Sequence, residues 1–133
     1  GNSGLLLVEM PFENWTHRAV EEICSLQDQT GLTPVLAHVE RYRKKNQLLM
    51  YMNELLAQGV LFQCNAEAFL RLSSRRWALE QLKKGNIHFL GSDTHDLTAR
   101  PPRMAEAAAV IDKKLGSGVV KAITDNTKKM LKL

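Results

Sequence analysis

Four short, nearly continuous apolar runs recur along this chain at close to constant spacing, and a polar side chain stands at or just past the end of each. The runs are Leu5–Glu9, Pro34–His38, Val60–Asn65 and Ile87–Gly91, and the polar residues Glu9, His38, Asn65 and Asp93 stand 29, 27 and 28 residues apart. Runs that are apolar throughout, without alternation, are expected of strands buried on both faces. Helical patterns fill the gaps. Leu48, Leu49, Met52, Leu55 and Leu56 share one helix face, and Met104, Ala108, Ile111 and Leu115 make a second stripe. Gly31, Gly59 and Gly85 each follow a helical pattern and precede a strand, where a left-handed helix cap is needed. The period predicts an α/β fold of about four parallel βα units joined by helical crossovers.

The polar ends matter because the C-terminal ends of parallel strands converge on one rim of the sheet. A strand end can be polar simply because the chain is leaving the core. Three metal-competent side chains in phase, Glu9, His38 and Asp93, point instead to one shared pocket. The most specific segment is Gly91-Ser92-Asp93-Thr94-His95-Asp96, in which Asp93 and His95 can approach a common ion across a bend. A carboxylate with an imidazole suits zinc, manganese or iron as divalent ions. Ala37-His38-Val39-Glu40-Arg41-Tyr42 again sets a histidine at a strand end, with a cation three residues on. Glu9 closes an otherwise apolar strand, where a carboxylate is costly unless paired or metal-bound.

Other features narrow the function classes. A chain of 133 residues with 44% hydrophobic and 24% charged residues forms one core and is not disordered. Its apolar runs are too short to span a membrane, and no secretory leader pattern opens it. Cys24 and Cys64 are expected to be reduced intracellular thiols. The net charge of +4 arises from clusters in separate segments without interleaved aromatics, so a solvated surface is expected, not a nucleic-acid partner. A cysteine phosphatase is excluded. Arg71 follows Cys64 by seven positions, with no glycine-rich loop between them to bind an anion, so Cys64 is expected in the core. His17 is expected to be exposed and His88 to lie out of phase with the strand ends. Trp15, Trp77 and Phe12 are expected to pack, and Tyr42 either lines a cleft or begins a helix.

Val8-Glu9-Met10-Pro11, the segment from Ala37 to Tyr42 and Leu90-Gly91-Ser92-Asp93-Thr94-His95 together resemble the later motifs of the PHP (polymerase and histidinol phosphatase) superfamily. Arg100-Pro101-Pro102 narrows the likeness to the bacterial manganese-dependent protein-tyrosine phosphatases of capsular and extracellular polysaccharide regulation. Gly59, Gln63 and Asn65 match that family's penultimate strand. The family's first motif, a His-x-His pair with a following aspartate, is absent, as are its middle His and Glu ligands. A full barrel of this type runs to about 250 residues. The resemblance therefore implies that residues 1–133 are the C-terminal portion of a single PHP phosphatase domain, half of a distorted β/α barrel. Val39 stands where the family usually has proline, a change in turn stiffness.

The resemblance also implies roles. Glu9 would bridge metal ions, and His38, Asp93 and His95 would complete this half's share of the ligands. Arg41 and Arg100 would clamp phosphoryl oxygens with their planar donor forks. Hydroxide activated by the metals would attack phosphorus, and His95 or Asp96 would protonate the leaving tyrosine oxygen. The implied cofactor is manganese, with iron or zinc as alternatives. The implied substrate is phosphotyrosine on a protein, namely a cytoplasmic bacterial tyrosine kinase of polysaccharide biosynthesis. Two other readings stand beside this one: a PHP phosphoesterase acting on histidinol phosphate or nucleic acid, and an inactive, self-associating half-domain.

Overall fold

A computed structural model describes residues 4–10, 15–45, 47–91 and 102–131, and within them strands and helices follow the expected order, with one further helix after the last expected one. The strands are β1 (Leu5–Val8), β2 (Thr33–Leu36), β3 (Leu61–Asn65) and β4 (Phe89–Gly91). The helices are α1 (His17–Thr30), α2 (Gln47–Ala57), α3 (Arg75–Lys83), α4 (Pro102–Leu115) and α5 (Val119–Met130). Two 3-10 segments, Val39–Lys45 and Ala66–Phe69, leave the ends of β2 and β3. All three strand pairings are parallel and the order is β1-β2-β3-β4, so the α/β reading holds.

Local chemistry explains the boundaries. The Thr16 hydroxyl accepts the Ala19 N–H at 3.0 Å and caps the start of α1. Gly31 ends it at φ 73°, its N–H donating to the Gln27 carbonyl, and Gly59 and Gly85 hold the same left-handed conformation where predicted. Phe62, Leu36, Leu55, Val20, Phe69 and Ile111 are fully buried and join sheet and helices in one core. Cys64 is fully buried, and burial, reinforced by the Glu40 carboxylate, pushes its thiol pKa well up, as a structural cysteine requires. Trp15 is buried and Trp77 packs against the core, His17 is exposed, and Phe12 lies outside the described residues.

Several expectations are corrected. β1 and β2 stop short of the predicted ends, so that Glu9 lies one residue beyond β1 and His38 two beyond β2, whereas β3 and β4 end at Asn65 and Gly91 as predicted. β1 is not buried throughout: Leu7 is 64% exposed, because among the described residues β1 pairs only with β2 and forms the sheet edge. In α4 Met104, Ile111 and Leu115 face the core as predicted, while Ala107 takes the deep position expected of Ala108, which is half-buried. Met52, Leu55 and Leu56 of α2 face the core as predicted, and the side chains of Leu48 and Leu49 lie outside the described set. Helix α5 was not anticipated; Val119, Val120 and Ile123 pack it against the core.

His88 is not an idle residue before β4. Its ring Nδ1 accepts the Phe62 N–H at 2.9 Å while the His88 backbone N–H donates to the Phe62 carbonyl at 2.9 Å. Burial lowers its pKa below the usual histidine value. The neutral ring is the folded form, so between the folded and unfolded pKa values the unfolded chain binds more protons. His88 therefore contributes stability that is complete above about pH 6.5 and is lost as pH falls toward the folded value. A thermal unfolding midpoint lower at pH 5.5 than at pH 7.5 is expected. His88→Asn, which keeps an acceptor but cannot titrate, should shrink that difference by a few degrees; an unchanged pH dependence would remove His88 from this role.

Candidate metal centre

At the end of β1 the chain is pinned before it turns away. The Tyr42 hydroxyl accepts the Met10 N–H at 3.1 Å and donates to the Met10 carbonyl at 2.9 Å. Tyr42 is 3% exposed, so it is a core residue, neither a cleft wall nor a helix start. Burial raises its pKa, which keeps the proton it donates. The clamp fixes the chain beside Glu9, whose side chain is 67% exposed at the rim.

His38 adopts φ 53°, the left-handed region, which costs a non-glycine residue about 1 kcal/mol or more. Hydrogen bonds hold it there. Its N–H donates to Gln63 Oε1 at 2.8 Å, and its carbonyl accepts the Arg41 N–H at 2.9 Å. The turn aims the imidazole back over the strand ends. Nε2 lies 3.3 Å from Glu9 Oε1, and Nδ1 lies 3.2 Å from Asn65 Nδ2.

These contacts assign the atoms of the amides. A backbone N–H only donates, so Gln63 must face His38 with its oxygen. Its Nε2 then donates to Asn65 Oδ1 at 3.1 Å, which leaves Asn65 Nδ2 as a donor to His38 Nδ1. In the neutral ring the proton is thus placed on Nε2, toward Glu9. Taking up an ion through Nε2 requires that proton to leave this nitrogen.

β4 closes the bracket. Gly91 sits opposite Asn65, and a Cβ on it would fall 1.9 Å from Gln63 Nε2. Glycine is required here for close approach, not for an unusual φ. The Glu40 carboxylate, 7% exposed, accepts the Asn65 N–H at 3.0 Å and ties β3 to the turn after β2. Arg41 is exposed beside this group.

The structure therefore brings together Glu9 and His38 of the predicted ligands, with Arg41 next to them. Asp93, His95, Asp96 and Arg100 lie outside the described residues. Among the described residues no group of three or more His, Cys, Asp or Glu side chains is gathered, and Glu9 and His38 are the candidate donors brought together there. Those two fit. Donors about 2.1 Å from one ion lie about 3.0 Å apart at octahedral and 3.4 Å at tetrahedral angles, which brackets the 3.3 Å observed. Sequence reasoning missed the positioning parts. A glutamine inside the apolar run Leu61–Asn65 was the available signal for Gln63.

The family model for capsular polysaccharide synthesis, CpsB/CapC, matches residues 1–132. The chain belongs to this family. Among the relatives of this CpsB/CapC member, the tyrosine-protein phosphatase CpsB of Streptococcus pneumoniae is 32% identical over 112 residues, 76% of this chain and 45% of that protein. CpsB of Streptococcus agalactiae is 29% identical over 126 residues, 86% of this chain and 50% of that one. The tyrosine-protein phosphatase YwqE of Bacillus subtilis is 29% identical over 132 residues, 96% of this chain and 51% of that one. A chain from the crystal structures of YwqE and CpsB, metal-dependent tyrosine phosphatases, superposes with a TM-score of 0.81 at 26% identity, covering 97% of this chain and 53% of that one. The resemblance to the PHP-type tyrosine phosphatases is thus borne out. The chain spans about half the length of the relatives it matches.

Proposed function

We propose that these 133 residues are the C-terminal half of a metal-dependent protein-tyrosine phosphatase barrel, and that they supply Glu9, His38, Asp93 and His95 to its metal site. The observation that carries this reading is the Glu9–His38 pair, 3.3 Å apart on adjacent parallel strand ends of a chain whose relatives are tyrosine phosphatases. Divalent ions bound there, manganese foremost with iron or zinc as alternatives, would acidify a water and offset charge on the phosphoryl group.

The chain's own residues do the rest. Asn65 holds the His38 ring in one orientation, and Gln63 fixes both the Asn65 amide and the His38 backbone. Arg41, anchored through its backbone to the His38 carbonyl, and Arg100 bind phosphoryl oxygens as the substrate arrives. His95 or Asp96 delivers a proton to the departing tyrosine oxygen. Phosphotyrosine on a cytoplasmic tyrosine kinase of polysaccharide biosynthesis is the substrate that the family's capsular role favours. Among the described residues no helix is long and apolar enough to cross a membrane.

One observation bears on the fragment itself. With two donors gathered among the described residues and Leu7 exposed on the β1 edge, the chain alone is expected to self-associate, to bind manganese weakly and to turn over little substrate. Fusing it to the N-terminal half of a CpsB relative should restore hydrolysis. The fused protein should cleave a phosphotyrosine peptide at least ten times faster than histidinol phosphate or single-stranded DNA, by about 1.4 kcal/mol or more in barrier. Preference for either alternative substrate would move the assignment to that class.

A further inference from the structure

Beside the rim, and sharing Asn65 and Arg41 with it, lies an open cleft of about 240 Å³. Three arginines line it, Arg41, Arg43 and Arg71, together with Glu40 and Glu67. The two carboxylates differ. Glu40 is buried and occupied by the Asn65 N–H, whereas the Glu67 carboxylate, among the described residues, forms an exposed pair with Arg71 at 3.0 Å. An exposed pair four residues apart is weak and is readily exchanged for another carboxylate. Arg43 is set for recognition, because its guanidinium donates to the carbonyls of Glu40 and, at 3.3 Å, Ser73, which fixes its position at the cleft wall. Leu72, between Arg71 and Ser73 in sequence, is 89% exposed.

We propose that this cleft is a substrate subsite for an acidic side chain, an aspartate or glutamate lying a few residues along the substrate from the phosphotyrosine. The inference rests on the phosphatase reading, which puts the phosphoryl group at the Glu9–His38 rim. Arg71 and Arg43 bind the carboxylate, Glu67 holds Arg71 in place until it arrives, and Leu72 gives the peptide an apolar contact. The subsite selects which phosphotyrosine-bearing segment is presented to the rim.

The test is fluorescence anisotropy on the 133-residue chain with four labelled peptides of one length. These carry phosphotyrosine flanked by glutamates, phosphotyrosine flanked by alanines, tyrosine flanked by glutamates, and phosphotyrosine flanked by a second phosphotyrosine. The glutamate-flanked phosphopeptide should bind roughly 5–10-fold more tightly than the alanine-flanked one, as one or two partly exposed charge-assisted pairs allow. Arg71→Ala should erase most of that ratio without changing affinity for the alanine-flanked peptide, and Glu67→Gln should increase it. Equal affinities, or an Arg71→Ala effect shared by both phosphopeptides, would overturn the subsite. A second phosphotyrosine outbinding glutamate by more than the glutamate advantage would overturn its assignment to carboxylates. If the glutamate-flanked peptides bind equally with and without phosphate, both to this chain and to its manganese-loaded fusion with the N-terminal half of a CpsB relative, and binding depends on Arg71, the subsite stands and the phosphatase reading falls.

Discussion

Glu9→Gln, His38→Asn and Asp93→Ala are each expected to lower phosphotyrosine hydrolysis by the completed barrel roughly 10²–10³-fold, or about 3–4 kcal/mol of barrier. The substitutions are chosen to spare the fold. Glutamine keeps the size of Glu9, which is 67% exposed and contributes little packing. Asparagine tolerates the positive φ that His38 adopts, so that substitution removes the imidazole without adding backbone strain. Unfolding midpoints within a few degrees of the parent, together with lost turnover and lost manganese, would separate a ligand role from a structural one. Variants that keep full activity would remove their residue from the metal site.

Gly91→Ala should be the most damaging single methyl group in the described sheet. Its Cβ would fall 1.9 Å from Gln63 Nε2, so Gln63 must swing away. The glutamine end is flexible, but it is held by the His38 N–H at 2.8 Å and Asn65 Oδ1 at 3.1 Å. Losing both bonds, one of them to the part-buried His38 N–H, costs about 1–3 kcal/mol. For His38 as the proposed ligand, losing the backbone bond that fixes its turn is the kind of change that costs roughly 10–100-fold in metal affinity or activity. Chemical denaturation and manganese titration of the variant check both effects. Gln63→Ala combined with Gly91→Ala gives the control: with no side chain left to displace, the glycine substitution should add almost nothing. A full Gly91→Ala penalty in that background would mean the damage arises elsewhere.

The order of elements and half of the candidate site were legible in the sequence because both depend on spacing. Parallel βα units repeat at near-constant length, so side chains at equivalent strand ends meet, and Glu9 with His38 did. What decides their orientation was not legible. His38 carries the left-handed turn that sequence rules assign to glycine, and it does so because Gln63 and Arg41 hold it from either side. Nothing in a polar residue within an apolar strand says which neighbour it will bond, so Gln63 could be matched to a family strand but not given its job. Gly91 lacked a turn signature because its constraint is a side chain on the next strand. Leu7 misled for a different reason: an apolar run implies burial, but the edge of the sheet leaves one of its residues open. The cleft of Arg41, Arg43 and Arg71 joins two segments about thirty residues apart, and neither segment alone suggests it.

The most direct measurement is anomalous diffraction at the manganese edge from crystals of the manganese-loaded, completed barrel. The expected result is a peak within about 2.3 Å of both Glu9 Oε1 and His38 Nε2, with Asp93 and His95 among the remaining ligands. Manganese bound elsewhere, with the Glu9–His38 contact left intact and free of metal, would contradict the account.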